Sequence, residues 1–195
     1  MVISRVEGFD DFIDRLITTD PIFSETIKAS FIKKYFKKHD RILQEGDVCN
    51  EFFFIVKGGI RIYFLTPQGQ EKTRHISLEN QIITSLSSFI SQIPSAEILE
   101  AMEDTELLSM DRVNFFDLVQ KCRPWELFYR YFVETAYVVQ TKRIEARITM
   151  SARQRFQLTL NENPEYFQRL SNKVLASYID VTQETLSRLK SHNQF

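Results

Sequence analysis

The feature that most constrains the fold is a stretch of about 25 residues, Trp125 to Thr149, that neither Gly nor Pro interrupts. Pro124 precedes it at a position that suits the first turn of a helix. A helix of this length spans about 37 Å at 1.5 Å per residue, which is more than one small domain covers. We expect its apolar residues to pack on a second copy of the helix in a homodimer; they are Leu127, Tyr131, Val138, Ile144 and Ile148. The alternative is a surface helix packed only on its own domain.

The region before this helix has the composition of β-structure. Glu51 to Lys57 is rich in aromatic and β-branched residues, and Ile60 to Phe64 alternates in a way that predicts a half-buried strand. Turn signals follow these segments at Gly58-Gly59 and Pro67. Further short strands are predicted at 41–43, 72–77, 81–83, 97–101 and 106–111. Short strands at regular spacing predict a sandwich, jelly roll or barrel.

In the N-terminal segment the apolar residues recur at a different spacing. Residues 9–37 place apolar groups at helical spacing and predict helices. The segment ends in four lysines, which we interpret as a solvated helix end rather than a nucleic-acid patch; they are Lys33, Lys34, Lys37 and Lys38. After the β region, Asp111 is predicted to cap a helix over 112–119.

The C-terminal residues 171–192 predict two short helices joined by a tight turn. Ser171 suits the N-cap of the first helix, and Thr182 suits that of the second. Asp180 ends the first helix, because Asp tolerates the left-handed conformation better than most residues. Ala176 is small where the helices would cross. This is the arrangement of a helix-turn-helix.

The outer face of the second helix carries side chains that suit DNA. In the major groove, Arg forms paired hydrogen bonds with guanine, Gln forms them with adenine, and Glu accepts a hydrogen bond from cytosine. The N-caps Ser171 and Thr182 suit phosphates. The candidate DNA-binding residues are therefore Ser171, Thr182, Gln183, Glu184, Ser187, Arg188 and Lys190. An ordinary solvated helix face remains the alternative.

Charge and composition narrow the class of protein. Residues 142–195 carry nine Lys and Arg against five Asp and Glu, so this part of the chain favours an anionic partner.

Cys49 and Cys122 have no metal-ligand spacing, and they are too few for an iron–sulfur sensor. His39 and His75 are lone candidates for a haem ligand, so we expect no metal and no cofactor. Without a membrane span or a leader, we expect a cytoplasmic protein with no membrane partner.

From about Arg41 to Lys190 the chain resembles the Crp/Fnr regulators. The segments Gln44-Glu45-Gly46-Asp47 and Phe53-Phe54-Ile55-Val56-Lys57-Gly58 are similar to the family's signature turns. Thr182-Gln183-Glu184-Thr185-Leu186-Ser187-Arg188 is similar to its recognition-helix motif, in which Glu184 and Arg188 match base-contacting positions and Gln183 replaces an Arg. The resemblance implies an α+β fold with a cyclic-nucleotide-binding-type jelly roll, a dimer helix and a helix-turn-helix, over residues 1–123, 124–149 and 150–195.

The chain departs from this family in its effector pocket. Where cyclic-AMP binders carry a Glu for the ribose and an Arg for the phosphate, this chain has Ser85 and Pro94. Burying a phosphate without a cation is costly, so the effector is predicted not to be cyclic AMP. The residues at the matching positions are Ser85, Leu86, Pro94, Ser95 and Ala96.

Two further departures concern the DNA-binding end. Asp180 stands where many helix-turn-helix units have Gly, and the chain stops at Phe195 without the β-hairpin wing of its relatives. We expect a wingless DNA-binding domain with fewer phosphate contacts.

The leading hypothesis is a dimeric transcription regulator that reads an inverted repeat in double-stranded DNA and senses a small molecule. RNA polymerase is a further candidate partner. A second hypothesis is a ligand-binding module that acts through protein partners and has a vestigial DNA-binding domain. A third, a jelly-roll enzyme, requires clustered His and Glu metal ligands on neighbouring strands, and His75 is the only histidine in the β region. We therefore expect no enzyme activity.

Overall fold

The computed structural model describes residues 8–17 and 21–192, in which a β-roll lies between helical segments of the chain. The helices are α1 (Phe9–Leu16), α2 (Pro21–Ala29), α3 (Leu86–Ser91), α4 (Arg112–Lys121), α5 (Arg123–Thr149), α6 (Ala152–Glu162), α7 (Tyr166–Arg169), α8 (Asn172–Ile179) and α9 (Gln183–His192). The strands are β1 (Ile32–Phe36), β2 (Arg41–Leu43), β3 (Glu51–Lys57), β4 (Ile60–Leu65), β5 (Glu71–Ser77), β6 (Ile82–Ile83), β7 (Ile98–Ala101) and β8 (Thr105–Asp111). Residues 1–7 and 193–195, on which the expectations of no leader and no wing depend, lie outside the described residues.

The strands form two four-stranded sheets with the orders β1-β8-β3-β6 and β2-β7-β4-β5. Strand β8 pairs antiparallel with both β1 and β3, and β7 pairs antiparallel with β2 and β4. The predicted α+β class with a jelly-roll-type β domain is confirmed. The strands expected from composition are present, and β3 has the predicted bounds.

The chain divides into two compact units. The first comprises Met1–Tyr63 and His75–Phe132, and the second comprises Phe64–Arg74 and Val133–Phe195. The second unit therefore contains the tip of the β4–β5 hairpin together with the C-terminal half of α5 and helices α6–α9.

An aromatic cluster forms the core of the first unit. The ring of Phe52 on β3 lies 4.7 Å from that of Phe115, 6.5 Å from Trp125 and 6.1 Å from Phe128, measured between centroids. All four side chains are buried, and such ring pairs stabilise a fold by about 0.5–1.5 kcal/mol each beyond their buried area. The first turns of α5 are thereby fixed on the β-roll, because Trp125 and Phe128 belong to that helix.

The prediction of helix over the whole of residues 9–37 is wrong at its C-terminal end. Residues 32–36 form strand β1, which pairs with β8 from Ile32 opposite Ser109 to Phe36 opposite Thr105. Three of the four lysines contact carboxylates on neighbouring strands and loops: Lys33 pairs with Glu106, Lys34 with Glu51 and Lys37 with Asp104. The segment is therefore neither a helix end nor an unpaired basic patch.

The prediction that β4 is half-buried is also wrong. Arg61 is only 4% exposed and Tyr63 only 1%. Both contact the buried Glu100 on β7: Arg61 Nη2 donates to Glu100 Oε1 over 2.9 Å, and the Tyr63 hydroxyl donates to Oε2 over 3.1 Å. A buried charge is tolerated when it is paired and hydrogen-bonded, which explains how Arg61 and Tyr63 are buried on the face of this strand opposite the core residues Ile60 and Ile62.

The predicted long helix is confirmed as α5, and Asp111 caps α4 by accepting the N–H of Asn114 over 2.9 Å. Helix α3, which lies between the two predicted effector stretches, was not predicted. Among the described residues, no helix is both long enough and apolar enough to cross a membrane.

Candidate nucleic-acid interface and effector pocket

Helices α8 and α9 form the predicted helix-turn-helix, and each begins at a side-chain cap. The Ser171 hydroxyl accepts the N–H of Val174 over 3.3 Å, and the Thr182 hydroxyl accepts the N–H of Thr185 over 3.2 Å. These bonds satisfy amides that a helix start otherwise leaves unpaired.

The turn between the two helices is made at Asp180. Its φ of 60° and ψ of 56° place it in the left-handed region, as its residue type predicted. The Val181 N–H then donates to the carbonyl of Ala176 over 3.0 Å, which closes the turn. Ala176 is 2% exposed, and Leu175, Ile179 and Leu186 are buried, so the inner faces of the helices form a small apolar core.

Arg155 on α6 holds this turn through carbonyl groups. Its Nε donates to Ile179 O over 2.9 Å, its Nη2 to Asp180 O over 3.0 Å and its Nη1 to Met150 O over 2.7 Å. The last carbonyls of a helix have no partner within the helix, and the guanidinium supplies one. The angle at which α9 leaves the turn is therefore set in part by α6.

The outer face of α9 is open to solvent. Thr182, Gln183, Glu184, Ser187 and Arg188 are exposed. The backbone N–H of Glu184 and the hydroxyl of Thr182 hold the pKa of the Glu184 carboxyl below its usual value, so this side chain is an ionised acceptor at neutral pH.

Three of the candidate DNA-binding residues have a second role, and one of them is Thr182, which caps α9. Ser171 is exposed and caps α8. Lys190 is partly buried and donates to Asn172 Oδ1 over 2.7 Å, which ties α9 to the start of α8. The seven candidates thus lie on one face of α9 and at the two helix starts beside it.

The structure brings together two of the five predicted effector residues. Ser85 and Ser95 are both buried, and their hydroxyl oxygens lie 3.1 Å apart. A third residue, Glu97, joins them: it is 8% exposed, and its Oε2 accepts the Ser85 hydroxyl over 2.7 Å. The Ser95 hydroxyl oxygen also accepts the Glu97 N–H over 2.9 Å.

The other three predicted effector residues are placed differently. Pro94 and Ala96 are exposed, and Leu86 is partly buried at the start of α3. A cavity of about 460 Å³ lies nearby in the first unit, and its wall is formed by residues 42–43, 47–51 and 53. None of the five predicted residues lines this cavity. Within residues 8–17 and 21–192, no three His, Cys, Asp or Glu side chains are grouped so that they could hold a metal ion.

Helix α5 exposes apolar side chains in its second half. Val138 is 49% exposed, Ile144 59% and Ile148 77%, whereas Tyr131 is partly buried. Leu127 is 38% exposed. The sequence interpretation missed Tyr137, which is 73% exposed and precedes Ile144 by seven residues, a heptad spacing that could have identified it.

The sequence also does not predict the roles of Glu97 and Arg155, because no motif in the neighbouring residues indicates them. Glu97 joins Ser85 through the fold of the loop before β7, and Arg155 reaches the turn from a separate helix. Neither residue lies in a motif, so only the folded chain identifies them.

Residues 33–122 match the family described as the cyclic nucleotide-binding domain. FixK2 from Bradyrhizobium japonicum is similar in structure, with a TM-score of 0.75 and 17% identity over 84% of this chain and 85% of that one. CooA from Carboxydothermus hydrogenoformans has a TM-score of 0.72 and 17% identity, covering 92% of this chain and 83% of its own.

A third similar structure is CLP of Xanthomonas campestris, a regulator described as responsive to c-di-GMP. Its TM-score is 0.70, with 17% identity over 90% of this chain and 92% of that one. No curated protein sequence matches the chain significantly. The β-roll over residues 33–122 is thus of the cyclic nucleotide-binding type, and the chain shares its fold with these three structures.

The contacts of Arg155 predict its importance for stability. Arg155→Met leaves three carbonyls without their donor, so we expect the free energy of unfolding of the C-terminal unit to fall by about 2–3 kcal/mol. Urea unfolding, monitored by hydrogen exchange of the backbone amides in α8 and α9, measures this free energy. The matched control is Arg153→Met on the exposed face of the same helix, which should change stability by less than about 0.5 kcal/mol. Equal effects of the two changes would contradict the assigned role.

Proposed function

We propose that the protein is a dimeric, sequence-specific DNA-binding transcription regulator of the Crp/Fnr type that senses a small molecule other than cyclic AMP. In this proposal residues 1–123 form the sensor domain, 124–149 the dimer helix and 150–195 the DNA-binding domain. The observation that carries it is the pair of capped helices, α8 and α9, with an exposed polar face on the second helix. RNA polymerase is a further proposed partner.

The roles of the proposed DNA contacts follow from their chemistry. Arg188 reads guanine at O6 and N7, Gln183 reads adenine, and Glu184, which is ionised, accepts from cytosine N4. Ser187 lies on the same face, and Lys190 adds a cation near the phosphates. Ser171 and Thr182 stand at helix starts, where backbone amides and the helix dipole favour phosphate.

The first prediction from this proposal concerns Arg188. Arg188→Ala should weaken binding to a duplex from upstream of the protein's own gene by about 1–3 kcal/mol and leave binding to a scrambled duplex nearly unchanged. Fluorescence anisotropy at several salt concentrations measures both affinities, and specific binding should fall steeply as salt rises.

The matched control for Arg188 is Arg15→Ala, which removes an exposed arginine on α1 and should leave both affinities unchanged. Native protein that binds the upstream and scrambled duplexes equally, at every salt concentration, contradicts the proposal of specific binding.

Dimerisation is proposed from the exposed apolar face of α5. Tyr137, Ile144 and Ile148 lie seven and four residues apart and are all more than half exposed. Apolar residues at this spacing form the seam of a two-stranded coiled coil. Leu127 and Tyr131 continue the stripe toward the β-roll, and Val138 lies beside its centre.

The second prediction tests this seam. Ile144→Glu combined with Ile148→Glu buries four carboxylates at a two-fold interface, so we expect the dimer dissociation constant to rise at least about 100-fold. Sedimentation velocity over a concentration series measures it. Val113→Glu is the control, because Val113 is 77% exposed on α4 and does not belong to the apolar stripe of α5, so it should not change the association. A native protein that remains monomeric at all concentrations contradicts the dimer.

The proposed effector is not cyclic AMP because of the Ser85–Ser95–Glu97 cluster. The Ser85 hydroxyl, at the position expected to meet the ribose, is already donated to Glu97, and the position expected to carry a cation for the phosphate is the exposed Pro94. A phosphate bound here would lose water without gaining a cationic partner. Ser85, Leu86, Pro94, Ser95 and Ala96 remain the proposed boundary of the effector pocket.

The third prediction is that cyclic AMP does not bind the native protein with a dissociation constant tighter than about 1 mM. Isothermal titration calorimetry measures this, with 5′-AMP as the control for binding that does not require the cyclic phosphate. A micromolar affinity for cyclic AMP that 5′-AMP does not share would contradict the proposed effector class.

A further inference from the structure

The tip of the β4–β5 hairpin contacts helix α8 through three successive residues. Within the second compact unit, Lys72 Nζ lies 2.8 Å from Asp180 Oδ1, and Lys173 Nζ lies 2.6 Å from Glu71 Oε1. The Thr73 N–H donates to the Ser177 hydroxyl over 2.8 Å. We call the two ion pairs and this hydrogen bond the clasp.

Two arginines of α5 close the clasp from a second side. Arg143 Nη2 donates to Tyr178 O over 2.7 Å and to Thr73 O over 3.3 Å, and its guanidinium lies 3.8 Å from the centre of the Tyr178 ring. Arg147 Nη2 also donates to Thr73 O, over 3.4 Å. Thr73 is completely buried. The hairpin tip is therefore held by hydrogen bonds from both α5 and α8.

The clasp gives a reason for the acidic residue at the helix-turn-helix turn. Glycine adopts the left-handed conformation with less strain than Asp, so Asp180 is not required by the backbone alone. Its carboxylate faces Lys72, whose ammonium holds the pKa of Asp180 below its usual value. The side chain thus adds a tether at the one turn that positions α9.

We propose that the clasp holds the helix-turn-helix in a state that binds DNA weakly, and that release of the hairpin tip strengthens binding. This inference rests on the proposed DNA-binding function. Lys173 lies in the first turn of α8, two residues after the N-cap Ser171, where phosphate is expected. In the clasp its charge is neutralised by Glu71, and the Glu71 carboxylate would itself repel a phosphate at this helix start.

The direction of the effect distinguishes the clasp from simple electrostatics. Lys72→Met removes a cation, which by charge alone weakens DNA binding. If the clasp restrains binding, the same change tightens the binding of DNA. A partly exposed ion pair contributes about a two- to fivefold factor to an equilibrium. We therefore expect the affinity for DNA to rise about two- to fivefold. Asp180→Asn, which keeps the shape and tolerates the left-handed turn, should have an effect of similar size.

The test is a double-mutant cycle measured by fluorescence anisotropy on one labelled duplex. If Lys72 and Asp180 act through their ion pair, the double variant binds no more tightly than the tighter single variant. Lys121→Met is the matched control, since it breaks an exposed ion pair with Asp117 on α4 and should not raise affinity. Weaker binding by Lys72→Met, or additive effects in the double variant, would overturn the inference.

Hydrogen exchange of the free protein separates this inference from the proposed function. The Thr73 amide should exchange slowly in the native chain and faster in the double variant, whether or not DNA is bound. If no variant binds any duplex, the proposed function fails and the regulatory role of the clasp fails with it. If DNA binds but the Thr73 amide exchanges equally fast in all variants, only the clasp is overturned.

Discussion

The packing of the first turns of α5 on strand β3 is the constraint from which the rest of the arrangement follows. Trp125 and Phe128 are buried against Phe52 and Phe115, so this end of the helix cannot leave the β-roll without exposing several aromatic rings. The remainder of the helix, from Tyr137 onward, exposes apolar side chains. This exposed apolar half of the helix is the basis of the dimer proposed above.

Asp180 links the local conformation of the helix-turn-helix to more distant parts of the chain. Its carbonyl accepts from Arg155 of α6, and its carboxylate pairs with Lys72 of the hairpin tip. Strands β4 and β5, which the hairpin connects, lie side by side in the second sheet of the β-roll. The turn before α9 is therefore tied to the β4–β5 hairpin by a partly exposed ion pair, a class of contact that is individually weak.

Elements whose signal is local could be predicted from the sequence, and elements that depend on distant partners could not. Strand β3 follows from its run of Phe, Ile and Val, and α8 and α9 follow from Ser171, Thr182 and their apolar stripes. The sequence predicts a helix where strand β1 lies, because the register of this strand is set by β8 and no residue within 32–36 indicates that pairing.

The same limit applies to the candidate site. The outward face of α9 could be listed from its spacing, since a helix places residues three and four apart on one side. The Ser85–Ser95 contact agrees with the predicted effector stretches, but the engagement of Ser85 by Glu97 depends on how the loop before β7 folds. The hairpin contact of Asp180 joins residues more than 100 positions apart, which no local pattern encodes.

Selection of bound duplexes from a random-sequence pool tests the central claim most directly. A two-fold dimer with one α9 per subunit should enrich an inverted repeat whose half-sites lie about one DNA turn apart, roughly 34–36 Å. Recovery of a pool with no enriched sequence, or with a single unpaired half-site, would contradict the account of this protein as a dimeric, sequence-specific regulator.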